Sequence, residues 1–224
     1  MQFKAVATDI DGTITDADRK IVTPVIGAVR KLEKRNIKVI LVSGNVLPVT
    51  LGFKIFLGTT GPIISENGGM LFYENRIYKY FDKSDIEEAY KKLKEIMPNA
   101  ERILTDRWRE TSIVLDKSLD KERIKEIMEG MGFRVEATGY GIHVTHREQT
   151  KLFGLKKAAE LLNIDLDEIV AFGDSENDVD MLRGVGFGIA VNNAWEIAKK
   201  NAKMVTDKKY GYGFVEGLKK LKMI

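Results

Sequence analysis

Short apolar runs alternate with amphipathic stretches along most of the chain. Phe3 to Thr8 is a short apolar run that predicts a buried strand. Thr23 can cap a helix with Pro24 at its first position, and the pattern continues through VIGAVRKLEKR. The β-branched run IKVILVSG follows and ends at Ser43-Gly44. TGPIISENGGMLFY then predicts a strand and a hairpin turning at Asn67-Gly68. Strands that are apolar on both faces, separated by helices, predict a parallel sheet with helices covering it.

The same rhythm returns after residue 150. KLFGLKKAAELLNI places Leu152, Leu155, Ala158, Ala159 and Leu162 along one helical face. DEIVAFGD predicts a strand, SENDVDMLRGV a helix, GFGIAV a strand and AWEIAKKNA a helix. Between them the pattern changes. SDIEEAYKKLKEIM and DKERIKEIMEGM are helical, TSIVL is a strand, and FRVEATGYGIHVTH predicts a hairpin. Helices paired with antiparallel strands predict a small α+β module. The expected architecture is therefore α/β: a Rossmann-like parallel-sheet core from residues 1–82 and 151–224, with an α+β insertion at 83–150.

Composition narrows the functional classes. The 224 residues suffice for one large domain or a domain with an insertion. Basic and acidic residues number 36 and 33, for a net charge of +3, and the signs are mixed along the helices. Such mixing marks solvated helix faces, and no basic block marks a nucleic-acid footprint. The absence of cysteine excludes disulfides, CxxC zinc sites and thiol catalysis. No apolar run approaches the roughly 18 residues of a membrane span. Asp9 and Asp11 interrupt the N-terminus before a signal-type apolar core can form. The expectation is a cytoplasmic protein with neither a membrane nor a nucleic-acid partner, as a monomer or a homodimer. Abundant Lys and Glu, with Gln only at positions 2 and 149, fit a heat-adapted protein.

The chemistry gathers at strand ends. In open parallel sheets, ligands bind beyond the carboxyl ends of the strands. Three of those ends carry polar groups: Asp9-Ile10-Asp11-Gly12-Thr13, Ser43-Gly44-Asn45, and Gly173-Asp174 followed by Ser175-Glu176-Asn177-Asp178. Asp9, Asp11, Asp174 and Asp178 brought to one edge would repel one another unless a cation sat among them. Oxygen ligands without His or Cys select Mg²⁺. An aspartate is ionised at neutral pH and needs no separate base to act as a nucleophile. Asp9 is the candidate nucleophile towards phosphorus. Asp11, two residues on, is the candidate acid and base. Gly12 permits a sharp turn after the strand, and Thr13 is placed to position Asp11. Ser43 and Lys151 are candidates to hold phosphoryl oxygens. His143 and His146 fall on opposite faces of a strand and form no zinc pair, although one of them can face a substrate. GVGFG at 184–188 lacks the GxGxxG spacing and reads as a helix-to-strand turn, and no GxxxxGK[ST] occurs.

These residues resemble the motifs of the haloacid-dehalogenase-like phosphatases. DxDGT is matched by Asp9, Asp11, Gly12 and Thr13, and the strand-end Ser or Thr by Ser43. The lone Lys is matched by Lys151, and GDxxND by Gly173, Asp174, Asn177 and Asp178. All four motifs occur in the family's order, and the resemblance spans nearly the whole chain. The insertion lies where the family's α+β caps belong. SENGG and GIAVNNAWEIAKKNAKMVT resemble the cap-bearing Cof-type branch. The resemblance implies an aspartyl-phosphate mechanism with Mg²⁺. Asp9, Asp174 and Asp178 would stand at the metal, and Asp11 would reach it through its backbone carbonyl. Thr13, Ser43, Gly44, Lys151 and Asn193 would stand around the phosphoryl group.

Many Cof-type members read TGR at the second motif, where this chain reads Ser43-Gly44-Asn45 and so lacks a cation. With the short cap, this departure resembles archaeal phosphoglycolate phosphatases. It implies a small phosphate monoester as substrate, 2-phosphoglycolate first; a phosphosugar phosphatase or a phosphomutase is the alternative. Arg107, Arg109 and Arg147 in the cap are candidates to bind the substrate carboxylate. From another class, a receiver-like phospho-acceptor would also place Asp, Mg²⁺ and Lys together. Asp11 and the insertion argue against it. The cap is expected to hinge near 81–84 and 148–151 and to close over the substrate.

Overall fold

The computed structural model describes residues 3–224. The chain begins with β1 (Ala5–Thr8), α1 (Thr23–Lys34), β2 (Lys38–Val42) and α2 (Leu47–Leu57). It continues through β3 (Ile63–Ser65), β4 (Met70–Tyr73) and β5 (Arg76–Lys79). A second group follows: α3 (Ser84–Ile96), β6 (Ile113–Leu115), α4 (Lys121–Gly130), β7 (Phe133–Ala137) and β8 (Ile142–His146). The last part holds α5 (Lys151–Leu162), β9 (Ile169–Gly173), α6 (Val179–Gly184), β10 (Phe187–Ala190), α7 (Glu196–Asn201), β11 (Met204–Val205) and α8 (Tyr210–Lys220).

The main sheet has eight strands in the order β11-β10-β9-β1-β2-β3-β4-β5. The first six are parallel, and β4 and β5 add an antiparallel edge. Alternate residues of its strands feed two apolar layers. Val6, Leu41 and Phe172 pack with Val25, Leu32 and Phe214 from α1 and α8. Ala7, Ile40 and Ala171 pack with Leu155, Ala158 and Met181 from α5 and α6. Register sets the function of this sheet. Thr8 lies opposite Leu41 on one side and Phe172 on the other, so Asp9, Ser43 and Asp174 emerge at one edge.

The second sheet is antiparallel, in the order β6-β8-β7. It has an apolar core of its own. Ile86 and Leu93 of α3 and Ile124 and Met128 of α4 pack on Ile113, Val135 and Val144. This is the helix-and-hairpin pattern read from residues 83–150.

Several local features differ from the sequence pattern. The cap position of α1 is Val22, and Thr23 and Pro24 are already helical. A 3₁₀ turn at Glu66–Gly68 links β3 to β4, widening the expected hairpin turn. The β4–β5 hairpin turns on Glu74 and Asn75, both at positive φ (48° and 60°). A two-residue turn with both residues left-handed is normally announced by glycine, and here it is not. α2, β11 and α8 also lie outside the pattern. α2 is apolar around most of its circumference, and Ile55 and Phe56 are exposed. Residues 184–188 do form the turn from α6 into β10.

Candidate active site

The loop after β1 turns at Gly12, whose φ is +83°. A Cβ there would stand 2.5 Å from Asp174 Oδ2, so glycine answers both the backbone and the space. The turn leaves Asp9 buried and Asp11 at the cavity wall. Lys151 opens α5 behind the cap residue Thr150, whose hydroxyl accepts from the Phe153 amide at 3.0 Å. A cation in the first turn opposes the helix dipole. Burial alone would also lower the pKa of Lys151. Asp178 and Asp9 reverse both penalties and hold it above the ordinary lysine range. Its ammonium donates to Asp9 Oδ1 at 2.6 Å and to Asp178 Oδ1 at 2.7 Å.

Asp178 ends a 3₁₀ turn just before α6. Its Oδ2 accepts from the Asp174 and Ser175 amides, both at 2.9 Å. Both of its oxygens are therefore engaged, by Lys151 and by the backbone that carries Asp174. The Thr13 hydroxyl donates to Asp174 Oδ1 at 3.0 Å; it orients Asp174, not Asp11 as the sequence suggested. Thr13 is fully buried and does not line the cavity. Asn193 Nδ2 donates to the Gly12 carbonyl at 2.9 Å and its Oδ1 accepts from the Tyr210 amide at 2.6 Å, tying the turn to α8. Ser43 Oγ accepts from the Asn45 amide at 3.0 Å.

Asp9, Asp174 and Asp178 each offer a carboxylate oxygen within 4.8 Å of the others. Among the described residues, Lys151 is the one cation in direct contact with this group. Burial, with Asp178 and Asp174 nearby, pushes the Asp9 carboxyl well above its usual range against the pull of Lys151. Asp174 is pushed up to about 7 by burial and by Asp178. Asp9 Oδ2 is buried without a hydrogen-bond partner. Excess negative charge, hard oxygen donors and an orphaned oxygen fit a small divalent cation, and they suit Mg²⁺. Asp11 is held differently. Its Oδ2 accepts from Asn45 Nδ2 at 2.7 Å, and burial raises its pKa despite the opposing pull of Arg19 and Lys151. A carboxyl with a raised pKa holds a proton more readily, which suits it to protonating a leaving group.

These groups open onto a cavity of about 300 Å³. Asp9, Asp11, Ser43, Gly44, Asp174 and Asn193 line it from the main sheet's edge. Thr138, Gly139, Tyr140 and His143 line it from the second sheet. His143 and His146 do lie on opposite faces: His143 is at the cavity, and His146 stacks on Phe81 with ring centroids 5.3 Å apart. Burial, with Arg109 and Lys151 nearby, keeps His143 well below its usual pKa and hence neutral.

None of the three arginines expected at the substrate lines this cavity. Arg107 is exposed beside Trp108, Arg147 is exposed, and Arg109 is buried, donating to the Gly44 carbonyl at 2.9 Å. The cavity instead holds Arg19, from the hairpin between β1 and α1. Nothing in DADRK distinguishes that arginine from a solvated turn residue. Sequence reading also missed Glu66 and Glu176, which bridge the two sheets. Glu66 accepts from the Glu110 and Thr111 amides and the Ser112 hydroxyl. Glu176 accepts from Lys121 Nζ at 2.9 Å and the Ala137 amide at 3.1 Å.

A strand-end DxDGT turn, a buried lysine and a second acidic loop, arranged on a parallel sheet with an inserted α+β unit, define a hydrolase class. The chain belongs to the haloacid dehalogenase-like hydrolase family, whose profile matches residues 6–106 and 99–218. It is 36% identical over 211 residues to the phosphoglycolate phosphatase of Thermoplasma acidophilum, covering 93% of this chain and 94% of that protein. The protein of the same name from Methanosarcina acetivorans is 36% identical over 97% of this chain and 96% of its own. Among solved structures, a Thermoplasma acidophilum protein superposes over both full chains with a TM-score of 0.89 at 35% identity. A phosphatase of this superfamily from Bacteroides thetaiotaomicron has a TM-score of 0.85 at 20% identity, covering 100% of this chain and 96% of that one, and shares the fold. No helix among the described residues is long and apolar enough to cross a membrane.

Proposed function

We propose that the protein is a Mg²⁺-dependent phosphatase that hydrolyses a small phosphate monoester, with 2-phosphoglycolate as its substrate. The observation that carries the chemistry is Asp9: one oxygen is fixed by Lys151, and the other is buried and unpartnered at the cavity. An Asp9 oxygen attacks phosphorus and the ester oxygen leaves, taking the proton of Asp11. This gives an alcohol and an aspartyl phosphate. Water then attacks phosphorus, gives a proton to Asp11 and releases phosphate, which restores Asp9 as the carboxylate and Asp11 as the acid.

Asp9 and Asp174, with the backbone carbonyl of Asp11, would hold the Mg²⁺, and Asp178 would support Asp174 and Lys151 from behind. When bound, the ion neutralises charge on the phosphoryl group and among the carboxylates. Ser43 and the Gly44 backbone, which line the cavity, and Lys151, which holds Asp9 behind it, would bind phosphoryl oxygens, and Asn193 fixes the Gly12 turn. Residues 83–150 act as the cap. A site of about 300 Å³ is at the small end of ligand cavities, which run from roughly 300 to 1,000 Å³. That size supports a small ester over a phosphosugar. Relatives named phosphoglycolate phosphatase, similar along nearly the whole chain, support the particular substrate.

The test is phosphate release with Mg²⁺ from a panel of 2-phosphoglycolate, small sugar phosphates and nucleotides, with Asp9→Asn as control. Phosphoglycolate should lead the panel in kcat/KM, and the control should be inactive. Equal turnover of all esters would keep the mechanism and reject the substrate. Stoichiometric phosphorylation without turnover would reveal a receiver-like acceptor.

A further inference from the structure

If the protein is a phosphatase for a small ester, the rest of the substrate must be recognised by the other side of the cavity. That side is formed by the loop after β7 and by the hairpin between β1 and α1. Among the described residues, Arg19 is the only Lys or Arg that lines it. Lys151 is already held between two carboxylates, and Arg109 lies behind Gly44. His143 is neutral, so it brings no charge.

Arg19 is held in place with its donors unspent. Its backbone is left-handed (φ 63°), in a turn held by Asp16, whose Oδ1 accepts from the Asp18 and Lys20 amides at 2.9 Å each. The Arg19 amide itself donates to the Asp16 carbonyl at 3.1 Å. The guanidinium lies over the Tyr140 ring, 4.6 Å from its centroid, and the Tyr140 hydroxyl is hydrogen-bonded to Thr105. This contact with the ring occupies no acceptor atom and leaves the guanidinium N–H groups for a planar, bidentate acceptor. Arg19 Nε forms an ion pair with Asp11 Oδ1 at 3.8 Å, beyond hydrogen-bond distance, and among the described residues no side-chain hydrogen bond of Arg19 is formed.

From this arrangement, and resting on the phosphatase reading above, we infer that Arg19 is the specificity-determining residue that binds a carboxylate on the substrate's leaving group. The substrates it selects are short phosphate esters with a carboxylate close to the ester oxygen. Phosphoglycolate is the smallest of these. The three cap arginines have no part in this selection.

Two measurements on the Mg²⁺-loaded protein and its Arg19→Met variant test the assignment. The first is the ratio of kcat/KM for 2-phosphoglycolate to that for 2-hydroxyethyl phosphate, the neutral counterpart of similar length. The second is calorimetric affinity for 3-phosphonopropionate relative to propylphosphonate, a pair that cannot be hydrolysed. Arg19→Met should lower both ratios by roughly 10- to 100-fold, the span of a hydrogen bond to a charged group. Arg19→Lys should fall between, since it keeps the charge and loses the fork. Ratios unchanged in Arg19→Met, with both ligands weakened alike, would overturn the assignment and make Arg19 a support for Tyr140. A parent protein with no preference for the acidic ligand would overturn it too. A parent that hydrolyses none of the esters would refute the phosphatase reading, while the binding ratio would still decide the role of Arg19.

Discussion

Lys151 and Asp9 are 142 residues apart in sequence and 2.6 Å apart in space, where they form one side of a buried ion group completed by Asp178. The lysine touches a residue of the first acidic loop and a residue of the second. It therefore fixes the separation of the two loops at the edge of the sheet.

Lys151→Met should leave two buried carboxylates facing each other without compensation. Removing one partner of a buried pair costs about 3–5 kcal/mol. Chemical denaturation in EDTA should show a loss of this order, and saturating Mg²⁺ should recover part of it. Phosphate release should fall on the order of 10²–10³-fold even where the fold is intact. A variant as stable as the parent in EDTA would show that the buried charges relax without the lysine.

Asp174 sets a pH dependence in the metal-free protein. Its folded pKa, near 7, lies above the ordinary 3.8, so the folded state binds more protons than the unfolded state between those values. Stability therefore falls as pH rises through that window; the contribution is full below about pH 4 and lost above about pH 7. Asp9 is shifted in the same direction. Thermal melts in EDTA should show a higher Tm near pH 5 than near pH 8. Added Mg²⁺ should raise Tm most at pH 8, above the Asp174 pKa of about 7. A Tm in EDTA that climbs from pH 5 to pH 8 would contradict the cluster's electrostatics.

Asp11→Asn removes the proposed proton donor and keeps an oxygen that can accept from Asn45. Alkyl phosphates, whose leaving alkoxide needs protonation, should lose about 10²–10⁴-fold in kcat. p-Nitrophenyl phosphate, with its more stable leaving anion, should lose far less in the burst of nitrophenol. Equal losses with both substrates would assign Asp11 to binding rather than to proton transfer.

Glu176 sits in the second acidic loop, yet its carboxylate binds Lys121 and the Ala137 amide from the other sheet. Glu176→Gln should weaken the hold on β7 and the wall that begins at Thr138. KM should rise several-fold, with a smaller change in kcat. The loss should shrink with esters too small to reach Tyr140. An unchanged KM would show that Arg134 and Asp180, paired at 2.9 Å, suffice to hold that edge.

Much of this was legible in the sequence, for identifiable reasons. Strands such as KVILV and IVAFG are apolar on both faces, and parallel pairing follows from that. The acidic loops were legible because carboxylates at strand ends have few structural uses. The sequence does not show the partner of Thr13, because Asp174, 161 residues away, comes beside it only through sheet register. Arg19 was hidden for a similar reason. Its meaning depends on Tyr140, from a different sheet, and on a turn that no local propensity singles out. The β4–β5 hairpin was missed because Glu74 and Asn75 adopt a turn that composition assigns to glycine.

The Glu66 carboxylate has a consequence for exchanging parts between relatives. Residues 110–112 lie inside the inserted segment, yet their amides and hydroxyls are fastened to that glutamate, and Arg109 is fastened to Gly44. The insert is thus moored to the main sheet by side chains as well as by the backbone, beside the second crossing, where Gln149 Nε2 donates to the Glu66 carbonyl at 2.6 Å. A chimaera spliced only at the crossings would import a foreign strap against Glu66 and leave its buried carboxyl oxygens without their donors. A transplant that carries the matching residue at position 66 along with the insert should fold, whereas one that omits it should be recovered mainly as aggregate.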